Sequence, residues 1–363
     1  MSEPAYDADL LTHVEGKLAE FLGRAGAEIC QTEPRVRAGI DALCDFVLGG
    51  GKRLRPTFAW WSWRGAGGDP AGEQTEGVLQ AVASLELIQA CALIHDDIID
   101  SSDHRRGSPT VHIAFAKQHA EQGWLGSPAT FGLAAAVLIG DLALAWADDM
   151  FAEAPLPAST LAAARPAWRA MRTEVMAGQY LDIRTQATGD TSVDAALRID
   201  MLKTAPYTVQ RPLHLGAALA GADDELIGTL LAFGGDVGVA FQLRDDLLGV
   251  FGDPLVTGKP AGDDLRDGKR TLLVALGLER AAQQGRDDAV TVISDAIGNT
   301  ELSEADVDTV RQALVEVGAV DAVEHRIDEL TGAAMAALER AQLADPAPAK
   351  LTELVVRATK RVY

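Results

Sequence analysis

The chain has 363 residues, of which 48% are hydrophobic and 5% aromatic, and its formal net charge at pH 7 is −21. This length allows one large domain or two ordinary ones, and the abundance of Ala and Leu favours helices. The acidic balance argues against nucleic acid as a partner. If the chain binds phosphate groups, it needs metal ions or a few well-placed Lys and Arg side chains.

The cysteines and the N-terminal residues give an expectation for the cellular compartment. The three cysteines, Cys30, Cys44 and Cys91, lack paired spacing and fit a reduced cytoplasmic compartment. Residues 1–9 carry acidic side chains and no basic, apolar lead of the kind found in signal peptides. No uninterrupted apolar stretch reaches the ~18–20 residues that a membrane-spanning helix requires. We therefore expect a cytoplasmic protein without stable membrane insertion.

Helical periodicity runs through most of the sequence. In chain order we expect helices over residues 8–27, 73–99, 130–151, 158–184, 193–220, 225–251, 271–284, 289–296, 304–317, 319–341 and 347–360. The breaks between them are short and polar or rich in Gly and Pro, so none resembles a domain linker. The pattern predicts one all-α domain over residues 1–363, a large antiparallel helical bundle with a central cavity.

One connection differs from the others. Residues 252–268 are rich in Gly, Asp and Pro, carry Lys259, and follow a helix end that bears two aspartates. A connection of this length inside a bundle is usually a lid or a substrate-binding loop.

Three aspartates end a long apolar stretch. Asp96 and Asp100 are one helical turn apart, so their carboxylates lie on one face with Asp97 beside them. Like charges at this spacing repel, and a site with only oxygen ligands favours a hard cation, above all Mg²⁺. Taken alone, this cluster is equally well explained as a solvated acidic helix end.

A second pair of aspartates changes that balance. Asp245 and Asp246 again lie near the end of an apolar helix, about 150 residues further on. Two such helix ends could face each other across a bundle cavity and hold several Mg²⁺ ions around a diphosphate. The repetition therefore favours metal and diphosphate binding over a solvated surface.

Basic residues accompany both clusters. A glycine-rich turn, 49–51, leads into Lys52, Arg53 and Arg55 just before a helix, an arrangement suited to binding an anion. It lacks the spacing and the preceding strand of a Walker P-loop. The remaining cations near the two clusters are Arg105, Arg106, Lys203, Lys259, Lys269 and Arg270. Considered individually, Arg53 and Arg270 are expected on solvated faces.

Taken together, these motifs resemble the trans-isoprenyl diphosphate synthases, or polyprenyl synthetases, most closely a bacterial geranylgeranyl diphosphate synthase. The resemblance is strongest over residues 46–270. It rests on Gly50-Gly51-Lys52-Arg53-Leu54-Arg55-Pro56, Asp96-Asp97-Ile98-Ile99-Asp100, Arg105-Arg106-Gly107, Gly140-Asp141, Gly178-Gln179, Lys203-Thr204, Gln242 with Asp245-Asp246, and Gly258-Lys259. Each match is weak alone, but their order and spacing are specific.

The resemblance implies an isoprenoid synthase fold, a homodimer and a role for each matched residue. The side chains that would bind isopentenyl diphosphate are Lys52, Arg55 and Arg106, with Gln89 nearby. The direct Mg²⁺ ligands would be Asp96, Asp100 and Asp245, around about three ions, while Asp97 and Asp246 would act through waters or lysines. The allylic diphosphate would be held by Arg105, Lys203, Lys259 and Lys269, and the carbocation would face Gln242 and Thr204.

Two positions depart from the family pattern. The third aspartate of the second motif is replaced by Gly249, and Asp253 or water could substitute for it. The histidine that often precedes the first motif by seven residues is Gln89, whose amide can still donate to a phosphate oxygen.

The implied chemistry is ionisation of an allylic diphosphate, assisted by Mg²⁺ and nearby cations, followed by attack of isopentenyl diphosphate on the carbocation. Released diphosphate would accept the last proton.

Cys91 and Ala92 lie about one turn before the first motif, where short-chain members tend to carry aromatic residues. Two small residues predict a product longer than C15, with C20 geranylgeranyl diphosphate the best match and C15 or longer chains as the alternatives. Candidates to close the tunnel below are Leu87, Ile88, Val137 and Leu138.

Two other functions are compatible with parts of the pattern. A terpene cyclase also ionises a prenyl diphosphate with aspartate-bound Mg²⁺, but it does not need the second diphosphate site that Lys52, Arg55 and Arg106 would form. A non-catalytic subunit of a heteromeric synthase should have lost an aspartate motif, whereas both motifs survive here apart from Gly249.

Overall fold

The computed structural model describes residues 5–252 and 262–360. Almost all regular structure in this part of the chain is helical, as predicted. The α-helices are α1 (Ala5–Ala8), α2 (Leu10–Thr32), α3 (Arg37–Leu48), α4 (Leu54–Gly65), α5 (Thr75–Ala83), α6 (Leu85–Ile99), α7 (Val111–Glu121), α8 (Pro128–Ala152), α9 (Ala158–Thr188), α10 (Val193–Ile199), α11 (Arg211–Leu219), α12 (Asp224–Phe251), α13 (Asp263–Arg266), α14 (Leu272–Gln283), α15 (Asp287–Ala296), α16 (Glu304–Glu316), α17 (Ala319–Arg340) and α18 (Ala347–Thr359).

Two short strands interrupt the helices. β1 (His104–Arg105) and β2 (Ser108–Pro109) pair antiparallel, with His104 opposite Pro109 and Arg105 opposite Ser108. The turn between them consists of Arg106 and Gly107, both with positive φ, which suits a two-residue hairpin.

The chain forms two compact units, Met1–Pro166 with Leu215–Ala222, and Ala167–His214 with Asp223–Tyr363. In the first unit, α8 packs against α6 and α7, and α2 packs against α3 and α5. In the second unit, α12 packs most extensively against α17, and its buried apolar residues form one core with those of α14, α15 and α16. The single domain that we expect over the whole chain stays a prediction.

The helices differ from the expected ones in more than one place. The helix expected over 73–99 is two helices that meet at Ser84, whose hydroxyl donates to the carbonyl of Ala81 at 2.6 Å and so competes with the helical pattern. Neither α3 nor α7 was predicted. The buried residues of α7 are only Val111, Phe115 and His119, too few for a clear apolar periodicity.

The helix expected over 193–220 contains two π-helical segments, Asp200–Thr204 and Pro206–Gln210. The amide of Ala205 donates to the carbonyl of Asp200, five residues back, because the pattern shifts just before Pro206, which has no N–H to donate. Gly178 of α9 lies against this segment: a Cβ there would be 2.3 Å from the backbone nitrogen of Lys203. The glycine is therefore required by the close approach of the two backbones.

By length and composition alone, three described stretches could cross a membrane: Thr75–Ile99, Pro128–Ala152 and Asp224–Phe251. Their apolar windows are buried inside the protein to different extents, 78%, 33% and 44% respectively. The protein core thus covers most of the apolar surface of α5 and α6, whereas α8 keeps an apolar face exposed.

Candidate active site

The first group of predicted site residues lies in the first unit, around the start of α4. Lys52 is exposed, and the Arg55 guanidinium donates to Gln89 Oε1 at 2.7 Å. Because the amide oxygen of Gln89 accepts this bond, its NH₂ group remains the end that can donate to a phosphate oxygen. The structure thus brings Arg55 and Gln89 together, as expected for neighbours in one anion site.

The β-hairpin adds a further cation to this group. Arg106 has φ 52° and donates from Nη1 to the carbonyl of Gly50 at 2.6 Å. Partial burial lowers the pKa of the Arg106 guanidinium, and the charges of Arg105 and Arg53 lower it further. An anion bound between these guanidinium groups would relieve their mutual repulsion.

Arg53 is not on a solvated face, so that expectation is wrong. Its side chain is 4% exposed, and Nη1 lies 2.8 Å from Oε2 of the equally buried Glu86. Nη2 donates to the carbonyl of Val47 at 2.7 Å. Arg53 has φ 47°, in the left-handed region, and is the N-cap residue of α4. Arg53 therefore stabilises the backbone of the turn. Lys52 is exposed instead, and Arg55 contacts Gln89.

The first aspartate motif closes α6. The amide of Asp100 donates to the carbonyl of Asp96 at 2.8 Å, so the two residues are one turn apart, as predicted. Asp97 differs: its side chain is 1% exposed and accepts from Arg105 Nε at 2.8 Å and from Nη2 at 2.7 Å. Burial lowers the pKa of Arg105, but the hydrogen bonds and charge of Asp97 outweigh it and raise the pKa.

Arg105 is therefore bound to the first motif itself in this structure, and Asp96 Oδ2 lies 3.8 Å from its Nη2. The allylic diphosphate role that the resemblance implies for Arg105 stays a prediction.

The residues expected to set product length lie one turn further back on α6. Cys91 is fully buried and Ala92 is half-buried. Burial raises the pKa of the Cys91 thiol to about 12.

His95 lies between α6 and α8. Its Nε2 donates to the carbonyl of Val137 at 3.2 Å, since a carbonyl can only accept, and its Nδ1 lies 3.7 Å from Cys91 Sγ. A Cβ on Gly140 would lie 2.2 Å from His95 Nε2, so this glycine allows α6 and α8 to meet.

The candidates to close the tunnel divide into two pairs. Leu87 and Ile88 are buried, at 0% and 1% exposure. Val137 and Leu138 are 43% and 68% exposed on α8. The role of all four residues in closing the tunnel stays a prediction.

The second aspartate motif lies on α12, in the second unit. Asp245 is exposed, whereas Asp246 is 3% exposed and accepts from Gln242 Nε2 at 2.6 Å through Oδ1. The other oxygen, Oδ2, is buried without a hydrogen-bond partner. Burial raises the pKa of Asp246 well above its usual range, and the charges of Asp200 and Asp264 add to the effect. Gln242 thus contacts Asp246.

Two aspartates near Lys203 were missed by the sequence analysis. Lys203 Nζ donates to Asp182 Oδ2 at 2.7 Å, and Thr204 is half-buried beside it in the chain. Asp200 is 6% exposed, and its Oδ2 has no hydrogen-bond partner. Burial, and then the charge of Asp182, raises the pKa of Asp200 to about 8. Asp182 lies one turn after Gly178-Gln179, and Asp200 lies one turn before Lys203. Their spacing from these matched motif residues was the sequence signal that could have identified them.

Beyond α12, Lys269 Nζ lies 3.1 Å from Asp264 Oδ1 and 3.8 Å from Asp267 Oδ2. Arg270 is half-buried and its Nε atom is buried without a hydrogen-bond partner, so the solvated face expected for it is wrong. The other two predicted groups of this region, Lys259 and Asp253, lie outside the described residues.

Among residues 5–252 and 262–360, no three His, Cys, Asp or Glu side chains are already arranged around a metal-sized position. The predicted convergence of both aspartate motifs on one cavity stays a prediction. Within each unit the structure brings together subsets of the predicted residues: Arg55 with Gln89, Arg105 with Asp97, and Gln242 with Asp246.

The sequence profile of polyprenyl synthetases matches residues 38–314. A geranylfarnesyl diphosphate synthase of Aeropyrum pernix is 33% identical over 318 residues, which cover 87% of this chain and 91% of the relative. A (2E,6E)-farnesyl diphosphate synthase of Mycobacterium tuberculosis is 34% identical over 268 residues, or 74% of this chain and 67% of the relative.

A crystal structure of a geranylgeranyl pyrophosphate synthase from Corynebacterium glutamicum, complexed with isoprenyl diphosphate and magnesium, has a TM-score of 0.93 to this structure. The two are 46% identical, and the match covers 99% of this chain and 100% of that one. The names of these relatives stand for products of different lengths, so together they establish the reaction class. The chain belongs to the polyprenyl synthetase family, has the all-α isoprenoid synthase fold, and is a trans-prenyltransferase that makes prenyl diphosphates.

Proposed function

We propose that this enzyme condenses isopentenyl diphosphate head-to-tail with allylic diphosphates in a Mg²⁺-dependent reaction, and that its main product is C20 geranylgeranyl diphosphate. The observation that carries the proposal is the agreement, over 99% of the chain, with the geranylgeranyl pyrophosphate synthase of Corynebacterium glutamicum.

The anion site at α4 supports a binding role for isopentenyl diphosphate. Lys52, Arg55 and Arg106 would hold its diphosphate, with the Gln89 amide as an additional donor. The hydrogen bond from Arg106 to the carbonyl of Gly50 keeps the hairpin beside the glycine-rich turn. In a chain with a net charge of −21, such a local concentration of cations is needed to attract an anionic substrate.

The donor chemistry of both aspartate motifs fits Mg²⁺, because the available ligands are carboxylate oxygens and one of them, Asp246 Oδ2, is buried without a partner. Asp96, Asp100 and Asp245 would hold about three ions, and Asp97 and Asp246 would act through waters or neighbouring cations. Bound Mg²⁺ would stabilise the diphosphate leaving group.

The chain's own cations would share that task. Arg105, Lys203, Lys259 and Lys269 would bind the allylic diphosphate and offset its charge as the C–O bond breaks. Gln242 and Thr204 would lie near the carbocation, and the apolar surroundings would exclude water until isopentenyl diphosphate attacks. The released diphosphate would take up the proton.

The C20 product is supported by α6. Cys91 and Ala92 are small, so neither position carries an aromatic ring that would stop a growing chain. Below them, Leu87 and Ile88 are the buried candidates for the floor. This proposal leaves the C15 and C25 products of the named relatives as measurable alternatives.

We further propose a cytoplasmic homodimer. Leu133, Val137 and Leu138 lie together on α8 and are 42%, 43% and 68% exposed. An apolar face of this kind is typical of a protein–protein contact, and a second copy of the chain is the partner that the family resemblance implies.

Product analysis tests the proposal. Purified protein is incubated with isopentenyl diphosphate and separate C5, C10 and C15 allylic primers, with Mg²⁺ or with a chelator. A metal-dependent linear C20 product supports it. A linear product that stops at C15 keeps the reaction class and contradicts the deep tunnel. A cyclised hydrocarbon indicates a terpene cyclase instead, and no product at all indicates a non-catalytic subunit.

A further inference from the structure

The position of the absent third aspartate in the second motif is occupied by another residue. Gly249 lies four residues after Asp245 on α12, so the two positions share one face of the helix. A Cβ on Gly249 would lie 1.8 Å from Asp264 Oδ2 and 2.6 Å from its Cγ. The carboxylate of Asp264 therefore fills the space into which a side chain at position 249 would extend.

Local structure fixes Asp264 in this place. The amide of Gly262 donates to the carbonyl of Gly249 at 3.1 Å, which ties the start of α13 to α12. Lys269 contacts Asp264 twice: its amide donates to the main-chain carbonyl at 2.9 Å, and its ammonium lies 3.1 Å from Oδ1. Asp264 is thus held against α12 by main-chain bonds as well as by charge.

The surroundings also contain acceptor capacity that the protein leaves unused. Asp246, on the same helix, is 3% exposed and its Oδ2 has no hydrogen-bond partner. Asp200, in the same unit, is 6% exposed and its Oδ2 is also without a partner. Buried carboxylate oxygens without partners are costly unless a cation or ordered water binds them.

We infer that Asp264 supplies the third carboxylate of the second aspartate motif, in place of an aspartate at position 249, and supports the divalent cation held by Asp245. The inference rests on the proposed Mg²⁺-dependent function. It explains why glycine at 249 does not leave the motif incomplete: the carboxylate of Asp264 reaches the same helix face from α13 and takes the space of a side chain at position 249.

The test exchanges the two positions. Mn²⁺ serves as the probe for the cation, and its binding in the presence of inorganic diphosphate is followed by electron paramagnetic resonance, a readout that needs no turnover. Asp264→Asn has the same shape as the native side chain and should weaken Mn²⁺ binding by about tenfold. Gly249→Asp in the native background should displace the Asp264 side chain, because its Cβ would lie 1.8 Å from Asp264 Oδ2 and would place a second carboxylate beside it.

The combined variant, Gly249→Asp with Asp264→Gly, removes the clash and returns a carboxylate to α12. We expect it to bind Mn²⁺ more tightly than Asp264→Asn and to unfold at a higher temperature than Gly249→Asp alone. Mn²⁺ binding by Asp264→Asn that equals the wild-type value would overturn the inference. So would a combined variant that folds but binds no better than Asp264→Asn.

Asp267→Asn is the matched control, since Asp267 also lies near Lys269 but not against Gly249. This variant should keep wild-type Mn²⁺ binding. If its Mn²⁺ binding falls as far as that of Asp264→Asn, the effect comes from the shared neighbour Lys269, and the inference is overturned. Failure of the proposed function is recognised separately, because it is read from prenyl product formation by the wild-type enzyme.

Discussion

Arg53 and Glu86 form an ion pair 2.8 Å long in which both side chains are only 4% exposed. Arg53 caps the start of α4, and Glu86 lies in the first turn of α6. The pair therefore connects the turn that carries Lys52 to the helix that ends in the first aspartate motif.

Glu86→Gln should destabilise the protein by about 3 kcal/mol, because it leaves the buried charge of Arg53 without its partner. Denaturant unfolding at neutral pH measures the loss. Glu15→Gln is the control: Glu15 also lies near Arg53, at 3.5 Å, but is 47% exposed, so it should change stability by less than about 1 kcal/mol. Equal effects of the two substitutions would contradict a special role for the buried pair.

Arg106→Gln should weaken the binding of isopentenyl diphosphate more than that of the allylic substrate. The variant loses a charged donor, which contributes about 1.5–3 kcal/mol, so KM for isopentenyl diphosphate should rise at least about tenfold. Steady-state kinetics with each substrate varied in turn provides the measurement. Arg37→Gln is the control. Arg37 is exposed and its Nη1 lies 3.6 Å from Asp41 Oδ1, so its replacement should leave both KM values unchanged. An equal rise of both values for Arg106→Gln would mean that Arg106 does not distinguish the two sites.

Cys91→Phe should shorten the product from C20 to C15, because an aromatic ring at this buried position would block the growing chain. Overpacking can cost about 1–3 kcal/mol, so unfolding temperature is measured alongside the product. Cys91→Ala serves as the small-residue control and should keep the wild-type product. If Cys91→Phe folds and still makes the wild-type product, the floor of the tunnel lies elsewhere.

Asp200 should make stability depend on pH in the absence of metal. Its pKa is about 8 in the folded protein and about 3.9 when unfolded, so the folded state binds more protons between these values. Stability from this group is therefore present at low pH and falls as pH rises from about 4 to about 8. In Asp200→Asn, thermal unfolding from about pH 5 to 8 should show a smaller decline than in wild type. An identical decline in both proteins would show that Asp200 does not titrate in this range.

Leu138→Lys should weaken the proposed dimer, because it places a charge in the most exposed part of the apolar face of α8. Light scattering after size-exclusion chromatography reports the mass. Val315→Lys alters a residue on α16 that is 55% exposed and should leave the mass unchanged. A Leu138→Lys protein of wild-type dimeric mass would place the contact on another surface, and a monomeric wild type would contradict the dimer itself.

The sequence predicted most helices because their apolar periodicity is long and regular, as in α8 and α12. It missed α7, which buries only three side chains, and the break at Ser84, which depends on one hydroxyl. The π-helical segments were also missed, because Pro206 marks an irregularity without specifying that the backbone hydrogen bonds span five residues there.

For the candidate site, motifs located the charged residues but not their partners. The pairing of Arg53 with Glu86 joins residues 33 positions apart, and that of Lys203 with Asp182 joins residues 21 apart. The occupation of the Gly249 position by Asp264 depends on where α13 packs against α12. Contacts of this kind arise from packing of separate elements, and no local pattern specifies them.

The bond between Arg106 and Gly50 has an evolutionary consequence. Its acceptor is a main-chain carbonyl, so no change of side chain at position 50 can remove it. Gly50 also has φ 92°, a conformation that other residues rarely adopt, so the turn itself resists replacement. As the surrounding sequence diverges, this hydrogen bond is lost mainly by changing the arginine. Under the proposed role of Arg106 in binding isopentenyl diphosphate, we expect relatives that no longer use this substrate to differ at position 106.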